Sequence, residues 1–217
     1  VLKDVPTHHP DFGKPVRCKC KEDEDAARRL AKLAEVDGLT ARERRRNLDN
    51  VAIHPHNADA VAALAGVLER GAGIVVLVGP VGRGKTTLMH ALANSAKERG
   101  RIAIYSKMGD LLDWIRQAFR DDSEDDPSAR WRDLITAPVL LIDEIDKFHA
   151  TEWAKEKFFD LLDWRWRYLE EKITVIACNS PLDALPAPIR SRLLDGRAAV
   201  FTIAGEDARP FTTWGAL

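Results

Sequence analysis

The chain has 217 residues, 45% of them hydrophobic and 31% charged, which suits one α/β domain plus an appendage and excludes both two full domains and wholesale disorder. Its 33 Lys and Arg against 34 Asp and Glu leave a formal net charge of -1, so any nucleic-acid contact must come from a local basic patch. Cys18, Cys20 and Cys178 are too few and too uneven for a disulfide framework, and no apolar run reaches membrane-spanning length; a reducing cytoplasm and no membrane are expected.

Residues 1–20 place Pro6, Pro10, Gly13 and Pro15 between polar pieces and read as irregular structure. Ala26, Ala27, Leu30, Leu33 and Ala34 then recur at helical spacing among charges, predicting an amphipathic helix over 22–36 that ends at Asp37 and Gly38. Thr40 with Glu43 has capping-box spacing and opens a short basic helix through Arg46. Residues 1–46 are the expected N-terminal appendage, and residues 47–217 the main domain. A helix over 57–70 follows on Ala60, Val61, Leu64, Val67 and Leu68, closed by Gly71 and Gly73.

Beyond it, β-branched runs alternate with helical stretches: strand 74–78, helix 86–98, strand 102–105, helix 109–119, strand 139–142, helix 152–169, strand 173–177 and strand 198–203. Fully apolar strands between helices predict an α/β fold with a five-stranded parallel sheet buried on both faces. The acidic run 121–127, DDSEDDP, reads as a solvated loop.

The segment GPVGRGKTT, residues 79–87, stands directly after an apolar strand and directly before a helix, the context a GxxxxGK[ST] phosphate loop requires. Gly79, Gly82 and Gly84 let the backbone bend without Cβ clashes so that successive N–H groups form an anion nest, to which Pro80, Val81 and Arg83 also contribute main chain. The following helix adds the positive end of its dipole. Lys85 supplies a point charge for the β and γ phosphates of ATP, the Thr86 hydroxyl is a hard oxygen ligand suited to Mg²⁺, and Thr87 is less constrained.

PVLLIDEID ends a buried strand in adjacent carboxylates, which in a parallel sheet open onto the ligand crevice. Asp143 is placed to orient Mg²⁺ and Glu144 to polarise a water for attack on the γ phosphate; Asp146 is the acid best placed to cap the next helix. The strand-helix unit inserted over 102–119 suggests that the Val139 strand pairs beside the phosphate-loop strand. Asn179 follows the 173–178 run at a position where an amide could hold the attacking water and read the γ phosphate, and where an ordinary turn asparagine beside Ser180 and Pro181 would look the same. In PAPIRSRLLDG, Arg192 first and Arg190 second are the arginines that could enter a neighbouring copy's site, making hydrolysis depend on assembly. A small-molecule phosphotransferase would need an arginine-rich lid after its third strand, and none is present.

Together GPVGRGKTTL, YSKMGDLLDWIRQAF, VLLIDEIDKF, WAKEKFFDLLDWRWR, ACNS and IRSRLLDG, with the lead-in NLDNVAIHPHNADAVAALAGVL, resemble the AAA+ bacterial replicative helicase loaders of the DnaC/DnaI group and the related IstB-type transposition ATPases, over about residues 47–205. The resemblance implies a P-loop AAA+ domain forming a homo-oligomer in the ATP state, which handles single-stranded DNA and engages the replicative DNA helicase or, in the second group, assists a transposase. It implies that Asn179 is sensor 1, Arg192 the arginine finger and Arg209 a sensor-2-type arginine, with Lys107 and the stretch Arg42 to Arg46 as phosphate contacts for DNA. Leu48 and Val51 depart from the aromatics usual in the lead-in, and the short tail implies a short or absent lid. HHPDFGKPVRCKC resembles the cysteine-bearing start of some loaders, but C-x-C beside His8 and His9 is not the spacing of a structural zinc site, so zinc on Cys18 and Cys20 is not expected.

Overall fold

A computed structural model describes residues 39–117, 127–147 and 151–205, together with Lys21, Glu24, Ala27 and Arg28. The expected irregular N-terminus with its cysteines and histidines, most of the 22–36 helix, the acidic run up to 126, Arg209 and the tail that bears on the lid lie outside these residues.

Five strands, β1 (Gly73–Val78), β2 (Ala103–Lys107), β3 (Val139–Asp143), β4 (Ile173–Cys178) and β5 (Ala198–Thr202), form one parallel sheet in the order β2-β3-β4-β1-β5. The expected five parallel strands are all present. The expected neighbour of β1 is not: β4 lies between it and β3. The reason lies in the connection. The helix that leaves the phosphate loop, α2 (Lys85–Glu98), packs across β4 onto β3 and β2, so its first turn reaches the end of β3 without the two strands being paired.

Among residues 39–205, the other α-helices described are α1 (Ala58–Arg70), α3 (Met108–Gln117), α4 (Pro127–Thr136), α5 (Glu152–Arg167) and α6 (Ala187–Leu193). On one face Val75, Leu77, Leu141 and Val175 pack with Leu64 and Leu68 of α1 and Leu88 and Leu92 of α2. On the other, Val76, Leu140, Ile142 and Ile176 pack with Leu111, Leu112 and Ile115 of α3, Phe158 and Leu162 of α5 and Ile189 of α6. Each such buried side chain contributes roughly 1.5–3 kcal/mol, which is why the strands can be apolar on both faces.

The Thr40–Glu43 capping box forms: Glu43 Oε2 accepts from Thr40 N at 2.8 Å, and Thr40 Oγ1 accepts from Glu43 N at 3.3 Å. The basic helix expected after it is a single 3-10 turn, Glu43–Arg45. Asn94 of α2 explains the stop, because its amide donates to Glu43 O at 2.8 Å and Arg46 O at 2.7 Å and so takes carbonyls that a continuing helix would use. Leu48 N donates to Ser95 Oγ at 2.9 Å, so residues 43–48 lie as a strap along the polar side of α2.

Arg165 of α5 is fully buried and has no carboxylate beside it among the described residues. Its guanidinium donates to Ala137 O at 2.6 Å, Ile135 O at 3.1 Å, Thr174 Oγ1 at 2.8 Å and Ile173 O. It ties the end of α5 to the entrances of β3 and β4, at the end of the sheet opposite the phosphate loop.

Candidate functional site

The phosphate loop is pinned by main chain before any side chain acts. Gly79 N donates to Cys178 O at 3.1 Å, and Ile203 N donates to Val78 O at 2.7 Å. A Cβ on Gly79, whose φ is 152°, would lie 2.3 Å from Ile203 O, so glycine is required there by close approach of the β5 exit. At Gly84 the expected clash is absent: a Cβ would meet open space, and glycine is needed instead for the left-handed φ of 88° that turns the loop into α2. Gly82 has a similar φ of 85°.

Lys85 is buried and donates to Gly79 O at 2.6 Å and Pro80 O at 2.9 Å. Burial pulls its pKa below the ordinary lysine range, against the opposing pull of Asp143 and Asp146. Arg83 keeps Nε and Nη1 buried with no acceptor among the described residues, the kind of orphan donor that an anion satisfies. Thr87 Oγ1 accepts from Arg46 Nη1 at 3.2 Å, which fastens the strap beside the loop and gives Arg46 a protein partner. Val81 is exposed at the loop's tip.

Thr86 Oγ1 donates to Asp143 Oδ2 at 2.6 Å, bringing the two predicted magnesium ligands together. Two hard oxygens at the mouth of a phosphate loop fit Mg²⁺, which is held by one or two protein oxygens plus phosphates and water. No group of three or more His, Cys, Asp or Glu that would form an all-protein cage occurs among the described residues. Asp143 is buried, its Oδ1 accepts from Glu144 N at 2.8 Å, and its Oδ2 also accepts from Tyr105 Oη at 3.1 Å. Burial and then Asp143 push the Tyr105 pKa far up, so the phenol stays a donor.

Glu144 has φ 55°, the one positive value on a non-glycine among the described residues, a conformation that costs about 1–3 kcal/mol. That backbone turn separates Glu144's carboxylate from Asp143's. Glu144 Oε1 lies 3.0 Å from Lys147 Nζ and Oε2 3.8 Å from Lys107 Nζ. The hydrogen bond to Glu144 raises the Lys147 pKa. Lys107, expected as a DNA phosphate contact, therefore stands beside Glu144, the acid expected to polarise the attacking water.

Asp146 does not cap α5; Thr151 does, its Oγ1 accepting from Ala154 N at 3.2 Å. Asp146 instead accepts from Asn179 N at 3.0 Å, Ser180 N at 3.0 Å and Ser180 Oγ at 2.7 Å. Burial pushes its pKa up, but these hydrogen bonds pull it further down, to a net value below the usual range. The Asn179 amide is 3.4 Å from the same carboxylate. Asn179 lines a cavity of about 400 Å³ with Val78, Gly79, Pro80, Leu182 and Thr202, at the carboxyl ends of β1, β4 and β5.

Arg192 stands apart from this cluster. It is half-buried on α6, its Nη2 donates to Asp163 Oδ1 at 2.7 Å, and its guanidinium lies 5.6 Å from the Phe159 ring centroid. Arg167 holds the other Asp163 oxygen at 2.6 Å. Burial raises the Asp163 pKa while the two arginines lower it more. Arg190 donates to Asp183 O at 3.1 Å. Tyr105, Asp163 and Lys147 were missed from sequence: the Asp163–Arg167 spacing signals only a helix surface pair, and nothing in the residue pattern signals the Tyr105 contact.

The sheet order, the phosphate loop after β1 and the paired acids ending β3 define an α/β P-loop ATPase fold. Residues 75–198, more than half of the chain, match the ATPase family associated with various cellular activities (AAA), and the chain belongs to that family. The chromosomal replication initiator protein DnaA of Thermus thermophilus is 29% identical over 151 residues, covering 66% of this chain and 34% of that protein. The chain thus spans about a third of the length of the curated relatives it matches. Among solved structures, the replication initiator DnaA bound to AMPPCP and single-stranded DNA superposes with a TM-score of 0.67 at 23% identity, over 78% of this chain and 52% of the other. The DnaC helicase loader gives a TM-score of 0.61 at 17% identity, over 76% of this chain and all (100%) of the other.

Proposed function

We propose that the chain binds ATP and Mg²⁺ at Gly79 to Thr86, hydrolyses the nucleotide at contacts between copies, and uses that cycle to load a ring-shaped replicative helicase onto single-stranded DNA. The observation that carries the ATP part is the 2.6 Å contact between Thr86 Oγ1 and Asp143 Oδ2, with Glu144 turned aside from both. Bound Mg²⁺ would neutralise phosphate charge as the γ phosphoryl is transferred to water. Lys85 and the loop amides hold the phosphates, Glu144 takes up a proton from the attacking water, and Asn179, fixed through Asp146, orients that water. Arg192 from a neighbouring copy offsets charge on the γ phosphate.

The replication part is supported by likeness to a replication initiator bound to AMPPCP and single-stranded DNA and to a helicase loader. Residues 1–46 serve in this reading as the appendage that docks the helicase, and basic residues of the strap as DNA contacts. The test is capture of the host's ring helicase by the purified chain with ATP and with ADP. Nucleotide-dependent capture supports loading; tight ATP binding without capture in either state removes it.

A second reading is a nucleotide-switched adaptor with little turnover, favoured by the two lysines that occupy Glu144. Hydrolysis rates with and without single-stranded DNA separate the two, since an adaptor stays slow in both.

A further inference from the structure

We infer that Tyr105 is a positioning residue of the magnesium site, its hydroxyl holding Asp143 in the orientation that faces Thr86; this rests on the reading of Thr86 and Asp143 as the metal's protein ligands. Asp143 is a buried acceptor with two oxygens and three donors. Oδ1 takes Glu144 N at 2.8 Å, while Oδ2 takes both Thr86 Oγ1 at 2.6 Å and Tyr105 Oη at 3.1 Å. These donors differ in what anchors them. Thr86 is exposed on the first turn of α2, where the phosphate loop ends. Tyr105 belongs to the sheet: it lies on β2, in register with Leu141 two residues before Asp143 on the paired strand.

Its ring is also held from the side. His90 of α2 meets it edge-on, with centroids 4.4 Å apart and planes at 81°, and His90 is itself buried with Nδ1 3.9 Å from Glu43 Oε1. The phenol therefore cannot turn away from Asp143 without breaking the packing between α2 and the sheet. With the Glu144 amide on one oxygen and the Tyr105 hydroxyl on the other, the carboxylate is fixed by β2 and by the residue that follows β3, without the phosphate loop. When the Thr86 oxygen faces a cation, Asp143 keeps its plane. A phenylalanine would fill the same space and leave Oδ2 dependent on the loop.

The experiment is Tyr105→Phe in the full chain, read by binding of a fluorescent ATP analogue titrated with MgCl₂ and, separately, in EDTA, with melting temperature as the fold control. Loss of one of the three hydrogen bonds to the carboxylate predicts a rise of about fivefold in the Mg²⁺ concentration giving half-maximal binding, with metal-free affinity unchanged. An unaltered Mg²⁺ midpoint overturns the inference, and so does an equal loss in MgCl₂ and EDTA, which would mark the residue as packing only. Thr86→Ala serves as reference. If it and the unmodified chain respond identically to Mg²⁺, the metal reading itself fails, an outcome distinct from failure of Tyr105 alone.

Discussion

The two regions to which the proposed hydrolysis is assigned are built in opposite ways. Around the phosphate loop, position comes from main chain: the Gly79 approach to Ile203, the left-handed Gly84, and amides of Glu144, Asn179 and Ser180 held on the buried Asp143 and half-buried Asp146 carboxylates. On the α5–α6 flank, Arg192 depends on side chains alone, resting on Asp163 and over Phe159 of its own chain. A site made of backbone is complete within one copy, whereas an arginine held by a partly exposed ion pair can be transferred to another partner at small cost.

That contrast breaks first at Arg192. Arg192→Ala is expected to lower hydrolysis in the assembled state by about a thousandfold while leaving nucleotide affinity of the dilute chain unchanged. Weaker binding by the dilute chain would place Arg192 in its own copy's site and erase the distinction. Glu144→Gln is expected to lower turnover by about a hundredfold in every condition, with ATP binding retained, measured by steady-state phosphate release beside equilibrium binding. Hydrolysis at the original rate would take Glu144 out of its assigned role.

The phosphate-loop half was legible in sequence because its rules are local: glycines at fixed offsets, a lysine and threonine opening a helix, acids closing an apolar strand. The five strands were legible for a similar reason, since β1, β3 and β4 are largely apolar runs and β2 and β5 each open on one, although β2 ends in Ser106 and Lys107 and β5 is mostly exposed. What was not legible depends on which elements meet in space. The position of β4 between β1 and β3 follows from the path of α2 across the sheet. Asp146 reads as a helix cap until β4 brings Asn179 and Ser180 to it, and the basic run after Thr40 reads as helix until Asn94 takes its carbonyls.

A smaller effect sharpens the contrast at Asp163. Asp163→Asn keeps the shape but removes the charge that Arg192 and Arg167 share, so stability should fall by only about 0.5–1 kcal/mol, in a thermal melt. If Arg192 must leave Asp163 to reach a neighbour, the chain concentration at which assembly-dependent hydrolysis begins should fall about two- to fivefold, the size such a pair allows. A higher threshold would mean that Asp163 holds the arginine in its working position.

The smallest effect is in pH. Asp146 and Asp163 both have folded pKa values below the ordinary 3.8, so in each case the unfolded chain takes up a proton more readily than the folded one. Their stabilising contributions are therefore complete well above 3.8 and are lost as pH falls through that value toward the depressed ones. Solvent screening keeps the Asp146 part to roughly a few tenths of a kcal/mol. Salt tells the two apart, because 1 M NaCl reduces the reach of charge to about 3 Å and weakens a partly exposed ion pair more than amide hydrogen bonds to a half-buried carboxylate. Urea unfolding between about pH 5 and 3 should show a decline that is shallower in Asp146→Asn at both ionic strengths and shallower in Asp163→Asn only at low salt, a range set by the carboxylate reference value. Equal salt sensitivity of both would mean that Asp146 acts through charge, as Asp163 does, and the division between a backbone-built half and a side-chain-held half would not extend to the β4 exit.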